Sequence, residues 1–182
     1  MLAVEGRVTE PQYFSMFQAR QATIRLEVLK DTKTSALQIL ERMKEYIKNN
    51  PLQDGDQAWL VLDKDNSLDT DLDLLHAWTQ GGNDGQRGMA LSNPCFEYWL
   101  LLHFEDGSGA GTKETCNNRL KSHLPDYSKH INKQKFTGNR IAQAIERAKK
   151  RDQPPCPDWP RQPGSTTVYK LVEKLLDPGS IS

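Results

Sequence analysis

The run AWLVLD at residues 58–63 constrains the fold more than any other stretch of the chain. Ala58 through Leu62 are apolar without alternation. A strand with one wet face alternates apolar and polar residues, whereas an unbroken apolar run marks a strand covered on both faces, as in a parallel sheet sandwiched by helices. The run stops on Asp63-x-Asp65, and three more aspartates follow at 69, 71 and 73. A buried strand that ends on two carboxylates either holds something positive there or caps and solubilises the next helix.

The neighbouring segments fit the same scheme. MLAVEG reads as the end of a first strand, with a sharp turn at Gly6. TEPQYFSMFQAR starts like a helix, with Thr9 able to N-cap and Pro11 in the first turn. TIRLEVLK (23–30) reads as a strand. TKTSALQILERMKEYIKNN is an amphipathic helix through Leu37, Leu40, Met43 and Ile47. SLDTDLDLLHAWTQ is helical, with Leu68, Leu72, Leu75 and Trp78 on one stripe. MALSNP is a short strand stopping at Asn93-Pro94, and PCFEYWLLLHFE is a short, very apolar helix. Strand–helix alternation of this kind predicts an α/β domain over 1–105, with a mostly parallel four-stranded sheet flanked by helices. DGSGAGT (106–112) reads as a flexible break. Helical patterns follow around 113–123, 137–151 and 165–177, with DQPPCPDWPRQPGS as an extended loop between the last two. Residues 106–182 are therefore expected to form a helical C-terminal extension packed on the first part.

Charge divides along the same line. The chain carries 24 Lys+Arg and 24 Asp+Glu, a formal net charge of zero. Residues 113–151 hold eleven Lys/Arg against three acids, a local +8 balanced by −8 elsewhere. A basic segment beside an acidic centre is either a solvated helical face or an electrostatic footprint for phosphates. Cys95, Cys116 and Cys156 are odd in number and widely spaced, no secretory signal is present, and no apolar run reaches membrane-spanning length. A reduced, cytoplasmic, soluble protein is expected.

In an open parallel sheet, ligands bind at the carboxyl ends of the strands. Those ends carry Glu5-Gly6, Asp63-x-Asp65 and Ser92-Asn93. Asp63 and Asp65, two apart, would stand about 6.6 Å apart at Cα in an extended chain. Two carboxylates at that range repel, and a divalent cation such as Mg²⁺ removes the conflict. Glu5 adds a third carboxylate from another strand, enough to hold one or two divalent metals and to supply a general acid or base. Glu10 is a fourth acid near Glu5 or a carboxylate favoured by the first helix's dipole. Ser92 and Asn93 are substrate contacts or a simple helix entry. Glu97, on an apolar helix, needs a partner and either faces the metal site or pairs with a cation. Phe96, Trp99 and Leu100 read as core, and His103 as a satisfied structural histidine. Lys149, Lys150 and Arg151 end a helix, where cations suit the dipole, or grip a phosphate backbone.

EG after a first strand and DxD after a later one resemble a Toprim domain. VEGRVTEPQYF, LVLDKDN, LSNPCFEYWLLLHFE and GSTTVYKLVEKL, in that order, resemble the RloB family of prokaryotic defence-associated proteins across most of the chain. That resemblance implies a Toprim-like fold over 1–105, Mg²⁺ or Mn²⁺ as cofactor, and nuclease activity on DNA or RNA in antiviral defence, often beside an ATPase partner. It also implies that Glu5 is the general acid/base and Asp63 and Asp65 the metal pair. The family carries a longer, basic N-terminus, so the first strand here is expected to be short. Two other functions stay open: a nucleotide phosphoryl-transfer enzyme on the same carboxylates, and a non-enzymatic adaptor or sensor subunit docking on an ATPase.

Overall fold

The computed structural model describes residues 1–18, 35–65, 67–82 and 85–176. The expected strand at 23–30 lies outside them. Three parallel strands, β1 (Leu2–Val4), β2 (Ala58–Asp63) and β3 (Arg87–Asn93), lie side by side in chain order. The fourth, β4 (Ser165–Thr166), joins the far edge antiparallel to β3. The fold is thus α/β with a mostly parallel four-stranded sheet, as expected, but its antiparallel edge strand comes from a stretch that reads as the start of the last helix. That helix, α7 (Val168–Leu176), begins two residues later.

The unbroken apolar run of β2 has the predicted cause. Leu60 and Leu62 pack on one face of the sheet with Ala3, Met89 and Leu91, while Val61 packs on the other with Leu2, Val4 and Ala90. The first face is covered by α2 (Ala36–Asn49) and α3 (Asp69–Gln80). α2 starts at a capping box in which the Ser35 hydroxyl accepts from Gln38 N and the Gln38 side chain accepts from Ser35 N. Its buried stripe runs through Ala36, Ile39, Leu40 and Met43; Leu37, expected inside, is half exposed. In α3, Leu72, Leu75 and Trp78 are buried, but Leu68 stands outside at the N-cap.

The opposite face is covered by α1 (Thr9–Gln18), α4 (Phe96–Leu101), α5 (Lys113–His123), α6 (Gly138–Arg151) and α7, whose apolar residues form one continuous cluster with the sheet. All six residues of α4 are buried. His103 is a structural histidine. Its Nδ1 faces the Trp99 and Leu100 carbonyls at 3.0 and 3.2 Å, Nε2 faces the Tyr13 hydroxyl at 3.0 Å, and burial lowers its pKa to about 3.

The glycine-rich 106–112 segment is tied down rather than loose. Gly107 is buried with φ +72°, and a Cβ there would meet the Leu102 and Tyr98 side chains. Asp106 Oδ1 accepts from Ser108 N at 2.8 Å. Among the described residues, no helix is long and apolar enough to cross a membrane.

Candidate carboxylate site at the strand ends

β1 ends on Glu5, whose N–H continues the ladder to Val61 O at 3.0 Å. Its Oε2 accepts from Asp63 N at 2.9 Å, so the two acidic strand ends are bonded directly to one another. Asp63 Oδ1 accepts from Phe96 N at 2.8 Å, the first N–H of α4. Asp63 therefore does cap a helix, but across the sheet rather than the one that follows it in sequence.

Glu5, Glu10, Asp63 and Glu97 line one cavity of about 310 Å³, with Arg7 and Lys129 as its cationic walls. Glu10, in the first turn of α1, is buried against Gly6. A Cβ on Gly6 would stand 1.8 Å from Glu10 Oε2, and Gly6 has no positive φ. The glycine after the first strand is thus needed for the room it leaves to a carboxylate, not for a left-handed turn.

Glu97 finds its partners in the C-terminal half. It accepts from the Tyr127 hydroxyl at 2.9 Å and from the Lys129 ammonium. Lys129 has φ 75°, a left-handed conformation uncommon for a residue with a side chain. Thr9 Oγ1 donates to Lys129 O at 2.8 Å and helps hold that turn over the cavity.

The charges respond to this crowding. Burial, with Glu97 and Glu5 nearby, pushes the Glu10 carboxyl up to about 7. Burial, then Glu10, Glu5, Glu97 and Asp65, holds Asp63 well above the usual carboxylate range. Burial pushes Glu97 upward too, but Lys129 and Tyr127 outweigh it and leave Glu97 below its ordinary value.

Asp65 stands apart from the cavity lining. β2 stops at Asp63, Asp65 N donates to Pro94 O, and Asp65 Oδ2 is ion-paired with Lys113 at 2.8 Å. Ser92 pairs with Asp63 in register but is buried, its hydroxyl 2.9 Å from Thr166 Oγ1. Asn93 donates to Pro160 O and Arg161 O. These two side chains pin β4 and the proline-rich segment to β3. Lys149 is paired with Glu173, while Lys150 and Arg151 line a different cavity. Asp69 and Asp73 do more than serve a helix dipole: Lys64 pairs with Asp69, and Trp159 Nε1 and Arg161 reach Asp73.

The four cavity carboxylates fit a divalent cation in donor chemistry: hard oxygens, crowded and under-neutralised. Among the described residues, no three His, Cys, Asp or Glu side chains stand close enough together to form a ready-made metal cage. Any such ion must draw them inward.

A family model described as RloB-like protein matches residues 1–175. Searches of curated proteins and of solved structures gave no match.

Proposed function

This chain belongs to the RloB-like family, and from that premise we propose that it is a Mg²⁺- or Mn²⁺-dependent nuclease of Toprim type, cutting DNA or RNA phosphodiesters as an antiviral effector. One observation carries the reading: four carboxylates from two strand ends and two helix starts converge on one cavity at the carboxyl edge of a parallel sheet. That edge is where such sheets bind ligands.

Glu5, Glu10, Asp63 and Glu97 are the residues that would hold the cation. When bound, a divalent ion supplies charge neutralisation at the phosphate and a more acidic water. Glu5, only partly buried, takes the proton of the attacking water or returns one to the leaving oxygen. Asp63, fixed by Phe96 N–H, sets the position of the inner wall. Lys129 faces the cavity with its side chain half exposed and is placed to meet a phosphate oxygen.

The test is incubation of DNA, RNA and tRNA with the protein in Mn²⁺, beside Asp63→Asn. This variant keeps the oxygen that accepts from Phe96. Wild type should cut at least one substrate and Asp63→Asn none. Equal cutting by the two sinks the proposal.

One observation favours a non-enzymatic adaptor, docked on a partner ATPase. Lys129 already places a fixed cation on Glu97. An adaptor with a closed-off site would gain no thermal stability from Mg²⁺ or Mn²⁺; the nuclease should gain it.

A further inference from the structure

A second cavity, of about 400 Å³, is walled by Arg147, Lys150 and Arg151 of α6, Asp106 and Ser108 of the glycine-rich segment, and Gly164 before β4. Three cations face one carboxylate there. The arginines are held by neutral oxygens: Arg147 donates to Leu102 O at 2.6 Å, and Arg151 to Asp106 O at 2.8 Å and to Ser108 Oγ at 2.7 Å. Such bonds fix the guanidinium groups without cancelling their charge. Lys149, on the same helical turn, is treated differently, being ion-paired with Glu173. The fold thus neutralises one cation of the KKR run and collects the others around an open space. Like charges brought together repel, and an anion relieves the repulsion. The planar fork of arginine suits phosphate oxygens.

The position of this cavity ties it to the carboxylates. Gly164 N donates to Asn93 O at 2.8 Å, Thr166 pairs with Ser92, and Ser92 pairs with Asp63. Gly164 therefore lies two strand spacings across from Asp63 and two residues further along the strand axis, about 12 Å away at the same edge of the sheet.

We propose that this cavity binds a backbone phosphate of the nucleic-acid strand whose phosphodiester reaches the carboxylate cavity. The identity of the ligand as a polynucleotide rests on the nuclease reading; phosphate recognition itself does not. The experiment is fluorescence anisotropy of a labelled single-stranded oligonucleotide with the full chain in EDTA, over a salt series. Lys150→Gln should weaken binding severalfold and lower the slope of log affinity against log salt by about one. Lys149→Gln should match wild type. Superimposable curves for Lys150→Gln and wild type overturn the site, as does an equal loss in Lys149→Gln or absence of oligonucleotide binding. In a second arm, a nucleoside monophosphate should compete only weakly. Displacement at concentrations comparable to the oligonucleotide overturns the polynucleotide assignment. Because no metal is present, Lys150-dependent binding by a protein that never cuts would uphold this site while refuting the nuclease.

Discussion

Gly6 and Glu10 share one space: the Glu10 carboxylate lies where a Cβ on Gly6 would be, with Oε2 1.8 Å from that position. The carboxylate ends a flexible side chain, so an added methyl would displace it rather than unfold the chain. Gly6→Ala should therefore fold, yet lose much of the stabilisation by Mn²⁺ in a thermal melt. In a Glu10→Ala background the same substitution should add little further loss, and the coupling in the double-mutant cycle should be on the order of 1 kcal/mol. Strict additivity would disprove the relationship.

Glu10 also predicts a pH effect in the metal-free protein. Its carboxyl titrates near 7 when folded and near 4.5 in its ordinary state. Between those values the folded state holds the extra proton, so this group's contribution to stability falls as pH rises and its full cost is felt above 7. Glu10→Gln should be more stable than wild type at pH 8, by roughly 3 kcal/mol, with the difference vanishing below about pH 4.5. His103 works in the opposite sense: held neutral with a pKa of about 3, it costs stability as pH falls below its ordinary 6.5. The comparison must therefore be between the two proteins in urea titrations across pH. A constant difference would rule the assignment out.

Lys129 joins two effects that substitution can separate. Lys129→Met leaves Glu97 buried without its cation and should cost about 1–3 kcal/mol, less than the roughly 3–5 kcal/mol of a fully buried pair because the lysine is half exposed. Lys129→Gly removes the same cation but relieves the left-handed backbone, and should recover about 1 kcal/mol of that loss. Chemical denaturation of the two variants checks the order; a glycine variant less stable than the methionine one would contradict it.

Asn93 should prove structural. Its Nδ2 donates to the carbonyls of Pro160 and Arg161 from a buried position. Asn93→Ala leaves those carbonyls unpaired and should cost about 1–3 kcal/mol by urea melt. Proteolysis should then cut first within residues 152–164. A melt like wild type would show that the contact is dispensable.

The covered faces of the sheet were legible because periodicity reports burial directly. Ala58–Leu62 could not alternate when helices lie on both sides. The helices over 113–123 and 137–151 were legible for the same reason, and each has a side-chain cap, Thr112 and Thr137. The carboxylate cluster was half legible. Glu5 and Asp63 stand at strand ends, where spacing points. Asp65 departs because β2 stops at Asp63, and a strand end shifts within two residues without changing any pattern. Glu10 and Glu97 were each legible as a candidate beside a structural alternative, and helix orientation, which sequence spacing does not encode, decides between the two by setting both in the cavity wall. Tyr127 carried no signal, and Lys129 counted only as one cation of the basic segment: both come from an irregular turn, and a left-handed lysine looks like any other. β4, at two residues, is too short for any period and exists because Ser92 and Asn93 hold it.

The partners of Glu97 come from residues 127 and 129, far downstream of the four carboxylates. A ribosome that has released the chain only to residue 105 has already exposed every acid of the cluster, but neither the hydroxyl nor the ammonium that holds Glu97 charged. The site is therefore a late product of synthesis. A nascent chain cannot present it in finished form, and a cell making this protein meets the assembled cavity only once residues 127–129 have folded back onto Glu97.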